Sequence, residues 1–207
     1  MTETGQTPSI PVVSKVPTII LGMGALFGFP EQSDMPSIAA MVTPVSNKVD
    51  DGIMKEVLLD FYTSSGKRKP DQIIIFRDGV RESQFNQVLI KLLRLASSLT
   101  RSGTLKIVVI IQGSLDNVLH GTVIDNKVCH PKNNDFYLGT HAGTIGITRQ
   151  TLYHVLLDQA GFLTDDLQEF VHSLSYMYQK STTAIFFVAP ICYTHLAASQ
   201  LGAIYED

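Results

Sequence analysis

Residues Gln72 to Glu82 read QIIIFRDGVRE, and this stretch decides the fold. Four apolar residues, Ile73, Ile74, Ile75 and Phe76, run without interruption into Arg77-Asp78-Gly79, after which a helix-forming segment begins. An apolar run of that length, bounded by a charged turn, predicts a strand buried on both faces in the middle of a sheet. Its far end carries Asp78 to where open α/β sheets hold their ligands, outside the carboxyl ends of the strands. A carboxylate there is a candidate metal ligand or general base. The alternative is that Asp78 caps the following helix or steadies the Gly79 turn.

Upstream of this strand, Thr18 to Met23 (TIILGM) is a β-branched run behind Pro17 and predicts a first strand. Ser37 to Thr43 predicts a second, joined to it as a hairpin through a long connection. Ile53, Met54, Val57, Leu58 and Phe61 then recur at helical spacing, with Asp50 in place as N-cap and Gly66 beyond the end. Downstream, Phe85, Val88, Leu89, Leu92 and Ala96 mark another amphipathic helix, and Lys106 to Ile111 (KIVVII) another buried strand. Thr122–Asp125, Phe136–Thr140 and Thr151–Leu157 read as further strands. Thr164 is placed as the cap of a helix with the stripe Leu167, Phe170, Val171, Leu174 and Tyr178. Ala184–Val188 reads as a last strand and Cys192–Leu201 as a last helix. This alternation predicts one mixed-sheet α/β domain over residues 16–207, behind a loose lead-in at residues 1–15.

The composition narrows the function classes. The chain has 207 residues, 44% hydrophobic and 17% charged, enough for one domain with a real core. A net charge of -3 leaves no overall basic footprint, so contacts to nucleic acid must come from local clusters. Cys129 and Cys192 form no CxxC pair and fit packed thiols in a reducing compartment. No run approaches the roughly 18 apolar residues of a membrane span, which predicts a soluble intracellular protein with no membrane partner. His120, His130, His154 and His172 lack ligand spacing and read as surface or satisfied core residues.

Four long words, IIIFRDGVRESQFNQVL, TVIDNKVCHPKNNDFYLGTHAG, LQEFVHSLSYMYQKSTTAI and APICYTHLAA, resemble the PIWI domain of plant Argonaute proteins, most closely the Argonaute 4 clade. The resemblance covers nearly the whole chain from about Thr7. It implies an RNase H-like fold, a mixed five-stranded sheet flanked by helices, in a truncated form with one strand region deleted. It also implies an association with small-RNA-guided silencing in the nucleus or cytoplasm, with a small guide RNA as partner. The family's amino-terminal, PAZ and MID domains have no counterpart here.

Members that cut RNA hold two Mg²⁺ ions in a DEDH tetrad, the ions about 4 Å apart so that they stabilise both the attacking and leaving oxygens. Matched residue by residue, the third member is Asp78 and the fourth His195. The first lies in the family's GMDVSHG, which here reads Gly22-Met23-Gly24-Ala25-Leu26-Phe27-Gly28, so Gly24 replaces the bridging aspartate. The glutamate loop is missing between the second strand and the following helix, and Glu56 is a helix residue that does not replace it. Asp78 and a neutral His195 supply a charge of about -1 against the +4 of two Mg²⁺ ions, which dehydrate reluctantly. The expectation is therefore no slicing and no cofactor, with His195 hydrogen-bonded to Asp78 or to backbone on the inner face of the last helix. Mg²⁺ enters only if an endonuclease survives on altered ligands.

The resemblance also implies guide-backbone contacts at His141, Arg149 and Lys180, where cations hold phosphates without reading sequence. Phe186 stands where the family has a serine, Gln150 stands where it has a proline, and a basic-aromatic segment is missing after Gln112-Gly113. A further family activity, binding of Gly-Trp motifs, points to Phe61, Lys69 and Pro70 as one wall of a protein-interaction pocket. A phenylalanine at helical spacing is more often a core residue.

Overall fold

The computed structural model describes residues 11–26, 38–42, 51–78, 80–99, 105–118, 123–124, 134–140 and 148–205. In chain order these form a helical turn α1 (Pro11–Ser14), β1 (Thr18–Leu26), β2 (Ile38–Val42), α2 (Asp51–Ser64), β3 (Gln72–Asp78) and α3 (Phe85–Leu99). There follow β4 (Lys106–Val118), β5 (Val123–Ile124), β6 (Phe136–Gly139), β7 (Thr148–Asp158), α4 (Thr164–Ser175) and α5 (Ala189–Tyr205). A short 3-10 turn, Glu82–Gln84, leads into α3.

The strands make one seven-stranded sheet in the order β2-β1-β3-β4-β7-β6-β5. β1, β3 and β4 run parallel, and the remaining pairings are antiparallel. β3 is the buried central strand expected of QIIIF, and its period of two divides the core. Ile74 and Phe76 face a cluster with Val108, Ile110, Tyr153, the α4 residues Leu167, Phe170, Val171 and Leu174, and Ile191 of α5. Ile73 and Ile75 face the opposite cluster with Ile19, Leu21, Val109, Val57 of α2 and Leu92 of α3. Helices thus cover both faces of β3, which leaves its ends as the places where its polar residues meet solvent.

Several local expectations are corrected. Among the described residues the sheet has seven strands rather than five: β4 extends past Ile111 to Val118 and carries a β7-β6-β5 meander on its far side. Ala184–Val188 is not a strand. Its carbonyls bond to side-chain hydroxyls instead of a neighbouring strand: Thr140 Oγ1 donates to Ile185 O at 2.5 Å and Thr151 Oγ1 to Phe186 O at 2.7 Å. Tyr178 falls beyond the end of α4 and pairs with Tyr193 of α5, ring centroids 5.1 Å apart. Thr164 is the first residue of α4 rather than its cap. The loop before it is held by Asp158, whose carboxylate accepts from the N–H groups of Ala160, Gly161 and Phe162.

Pro11–Ser14, read as part of the lead-in, forms a helical turn whose Val12 and Val13 pack on the core, with Gln72 Nε2 donating to Val12 O. Gly66 does close α2: it takes a φ of 71°, and Lys67 N–H reaches back to Tyr62 O at 2.8 Å, the wrap-around bond of a Schellman-type end. β2 is an edge of the sheet among the described residues. Asp50, the expected cap of α2, lies outside the described residues.

Candidate functional site

The site forms where the first turns of α5 cross the ends of β1 and β3. Two glycines of β1 permit the crossing. A Cβ at Gly22 would overlap the carbonyl of Pro190, so only glycine lets the helix start sit directly on the strand. Thr194 Oγ1 donates to that same carbonyl at 2.8 Å, which fixes the first turn. Two residues on, and on the same face, Gly24 lies under His195: a Cβ there would stand 3.1 Å from His195 Cδ2 and 3.2 Å from Nε2. The neighbours have closed to the limit that a glycine allows.

Asp78 and His195 meet at this point. His195 Nε2 and Asp78 Oδ2 are 2.9 Å apart, with the side chains 35% and 23% exposed, so the pair is reachable from solvent at the strand end. Cys192, one turn before His195, has its thiol pushed up to about 11 by burial, with the Asp78 charge adding to it, and remains a thiol near neutrality. Burial lowers the Arg77 guanidinium against the Asp78 charge that raises it, and an arginine keeps its proton regardless. Arg77 and Asp78 alternate between the two sheet faces, so Asp78 alone of the two points toward α5.

Across the sheet, Asp78 is in register with Gln112 and Gln112 with Tyr153. Both neighbours are buried, at 2% and 0% exposure. The Gln112 carboxamide makes no protein hydrogen bond, and burial raises the Tyr153 phenol further out of the physiological range, with Cys192 adding to it. Phe187 presents its edge to the His195 ring at 6.1 Å and packs on Phe186 at 4.0 Å. The floor of the site is therefore protonated or neutral, and its rim is aromatic.

Among the described residues the donor set does not fit a pair of hard divalent ions. Asp78 offers oxygen and His195 nitrogen, and no group of three or more His, Cys, Asp or Glu side chains converges among the described residues. Gly24 has no side chain to bridge two ions, and Glu56 sits on α2, whose Val57 packs on the opposite face of the sheet. What remains can hydrogen-bond and accept one positive partner. A two-ion displacement needs more anionic oxygen than this.

The other predicted positions divide. Arg149 is in β7 opposite Asn117 on the extension of β4, at the Asp78 end of the sheet; its side chain, and all of His141, lie outside the described residues. Lys180 is exposed after α4, in a segment tied to α5 by Gln179 N–H donating to Tyr193 Oη at 3.1 Å. Phe61 is half-buried and packs on the core, Lys69 is exposed and Pro70 half-buried. His154, read as a surface or satisfied core residue, is half-buried and hydrogen-bonded, with Nδ1 2.7 Å from Asp135 Oδ2 and its ring stacked on Phe85. Sequence reasoning missed Phe187 and Gln112. The Phe186-Phe187 doublet directly before Val188-Ala189-Pro190 was the available signal for the first.

Comparison with known proteins places this arrangement. The Piwi domain family model matches residues 2–206. The chain is 51% identical over 240 residues to Protein argonaute 4A of Oryza sativa subsp. japonica, covering 95% of this chain and 26% of that protein. It is 50% identical over 252 residues to Protein argonaute 4 of Arabidopsis thaliana, covering 100% of this chain and 27% of that protein. Since that alignment of 252 takes in all 207 residues, about 45 positions of the relative have no counterpart here. The C-terminal lobe of a budding yeast Argonaute superposes with a TM-score of 0.78 at 20% identity, covering 93% of this chain and 48% of that one. Kluyveromyces polysporus Argonaute with a guide RNA gives 0.77 at 20% identity, covering 93% and 27%. The chain spans about a quarter of the length of its plant relatives, and on the family match and those identities it belongs to the Piwi domain family.

Proposed function

We propose that this protein holds single-stranded RNA of the guide type, in small-RNA-guided silencing, and does not cut it. The observation that carries the second half is the two-member donor set, Asp78 with His195 beside a side-chain-free Gly24. The first half is supported by family membership and by the fold shared with an Argonaute whose solved structure contains a guide RNA. His141, Arg149 and Lys180 are the proposed phosphate contacts, of which Lys180 is exposed. No resident metal is proposed. An endonuclease on altered ligands would need a further oxygen donor beside Asp78.

Gly-Trp-rich silencing proteins are a second proposed partner. Lys69 is exposed, but Phe61 is turned into the core, so this wall offers less than the RNA positions do. An intracellular setting, nucleus or cytoplasm, goes with this proposal and suits the two cysteines. The test is a salt-titrated binding curve for 5′-phosphorylated RNA against the 5′-hydroxyl form. Preference for the phosphate, lost in Lys180→Ala, is expected; equal binding of both forms that ignores Lys180→Ala overturns the guide assignment.

A further inference from the structure

We infer that Tyr193 is a positioning residue for Lys180: its hydroxyl sets where that cation stands, and through it the preference for a 5′-phosphate. The inference rests on the guide reading above and names the group that places one of its contacts. Lysine is a point charge on a flexible stem, so the region in which it meets an anion is set by its backbone. That backbone belongs to neither helix. Lys180 is exposed in the stretch of residues 176–183, between the end of α4 and the segment that leads into α5. The hydrogen bonds inside this stretch are local: Ser181 N–H donates to Tyr178 O at 3.1 Å, and Ser181 Oγ to Thr183 O at 2.8 Å. They shape the turn without fixing it against the sheet.

The placement comes from α5. Among the described residues, Gln179 N–H to Tyr193 Oη at 3.1 Å is the one hydrogen bond that reaches residues 176–183 from an element other than α4. The half-buried rings of Tyr178 and Tyr193, centroids 5.1 Å apart, back the same contact. Tyr193 in turn stands on the part of α5 that is fixed to β1, where Gly22 admits the Pro190 carbonyl and buried Thr194 donates to it at 2.8 Å. His195 follows two residues later, about 200° further round the helix. One turn of α5 therefore presents an imidazole to Asp78 on one side and a hydroxyl to the Lys180 turn on the other. A chain of fixed contacts runs from β1 through α5 to Gln179, the residue before Lys180.

The experiment measures anisotropy of one labelled single-stranded RNA, in 5′-phosphate and 5′-hydroxyl forms, on the native chain, Tyr193→Phe, Lys180→Ala and the double variant, with thermal melts as the folding control. Tyr193→Phe keeps the ring beside Tyr178 and removes the acceptor of the Gln179 N–H. It should lower the preference for the phosphate by about three- to fivefold, the scale of one hydrogen bond of ordinary net strength, and leave binding of the hydroxyl form unchanged. In its presence Lys180→Ala should remove less preference than it removes from the native chain, since the two act through one contact. Amide exchange at Gln179 should quicken in Tyr193→Phe while that of α4 and α5 holds, a readout that needs no RNA and is taken below both melts. Preference lost in Lys180→Ala but kept in Tyr193→Phe overturns the positioning role and leaves the guide reading standing. Unchanged exchange at Gln179 also overturns it. Losses that multiply in the double variant place Tyr193 on the RNA by itself and overturn it too. A native chain that binds both RNA forms equally overturns the guide reading, and this inference with it.

Discussion

At position 24 the lack of a side chain has become part of the packing. With the ring of His195 already at van der Waals limit from a hypothetical Cβ, a carboxylate there displaces the helix or the imidazole. Gly24→Asp should lower stability by about 1–3 kcal/mol through overpacking, and on the proposed reading it should not produce cleavage, because one added carboxylate leaves the donors short of what two divalent ions need. A thermal melt and a cleavage assay on the same sample check both halves. Cys192 makes a second residue-scale prediction. Its folded thiol is raised from the usual value near 9.0 to about 11, so the folded state holds its proton where the unfolded chain has released it. The sign follows from linkage: stability from this group is full below about pH 9 and is lost as pH rises toward 11. Denaturant melts between pH 8 and 11 should show that fall, and Cys192→Ala should flatten it. The contact between Asp78 and His195 was legible in FRDG and CYTHLAA. The ring of Phe187 against His195 was not, because its position depends on how a segment outside any helix or strand is anchored.

That segment belongs to the element scale. Ala184–Val188 has the length and apolar content of a buried strand, and periodicity cannot distinguish the two cases. What decides is hydrogen bonding from outside it: Ser175 O receives Ile185 N–H, while Thr140 and Thr151 satisfy the carbonyls of Ile185 and Phe186. Thr151→Val keeps the volume and removes the donor, leaving Phe186 O unpaired, and should cost about 1–3 kcal/mol in a denaturant melt. Asp158→Ala strips the acceptor from three N–H groups ahead of α4 and should destabilise by a similar amount. Neither anchor could be read from the chain, since each joins residues whose proximity exists only once the sheet is assembled. β3, by contrast, was readable: the four apolar residues Ile73 to Phe76 predict burial on both faces, and the structure adds Gln72 to the buried run.

On the scale of the molecule, one layered sheet carries its candidate site at a single end. At the carboxyl ends of the parallel strands Asp78 and His195 meet beside the ring of Phe187. The fold class and the family were legible because long words of the chain repeat a known pattern. The width of the sheet was not, since it arises from strand register across distant parts of the sequence. The central claim is that a Piwi fold persists here with too little anionic oxygen to cut. It is tested most directly by incubating guide-loaded protein with a labelled complementary RNA in Mg²⁺ or Mn²⁺, native chain beside Asp78→Ala. The account predicts intact target and no difference between the two; divalent-dependent cleavage by the native chain that Asp78→Ala abolishes would contradict it.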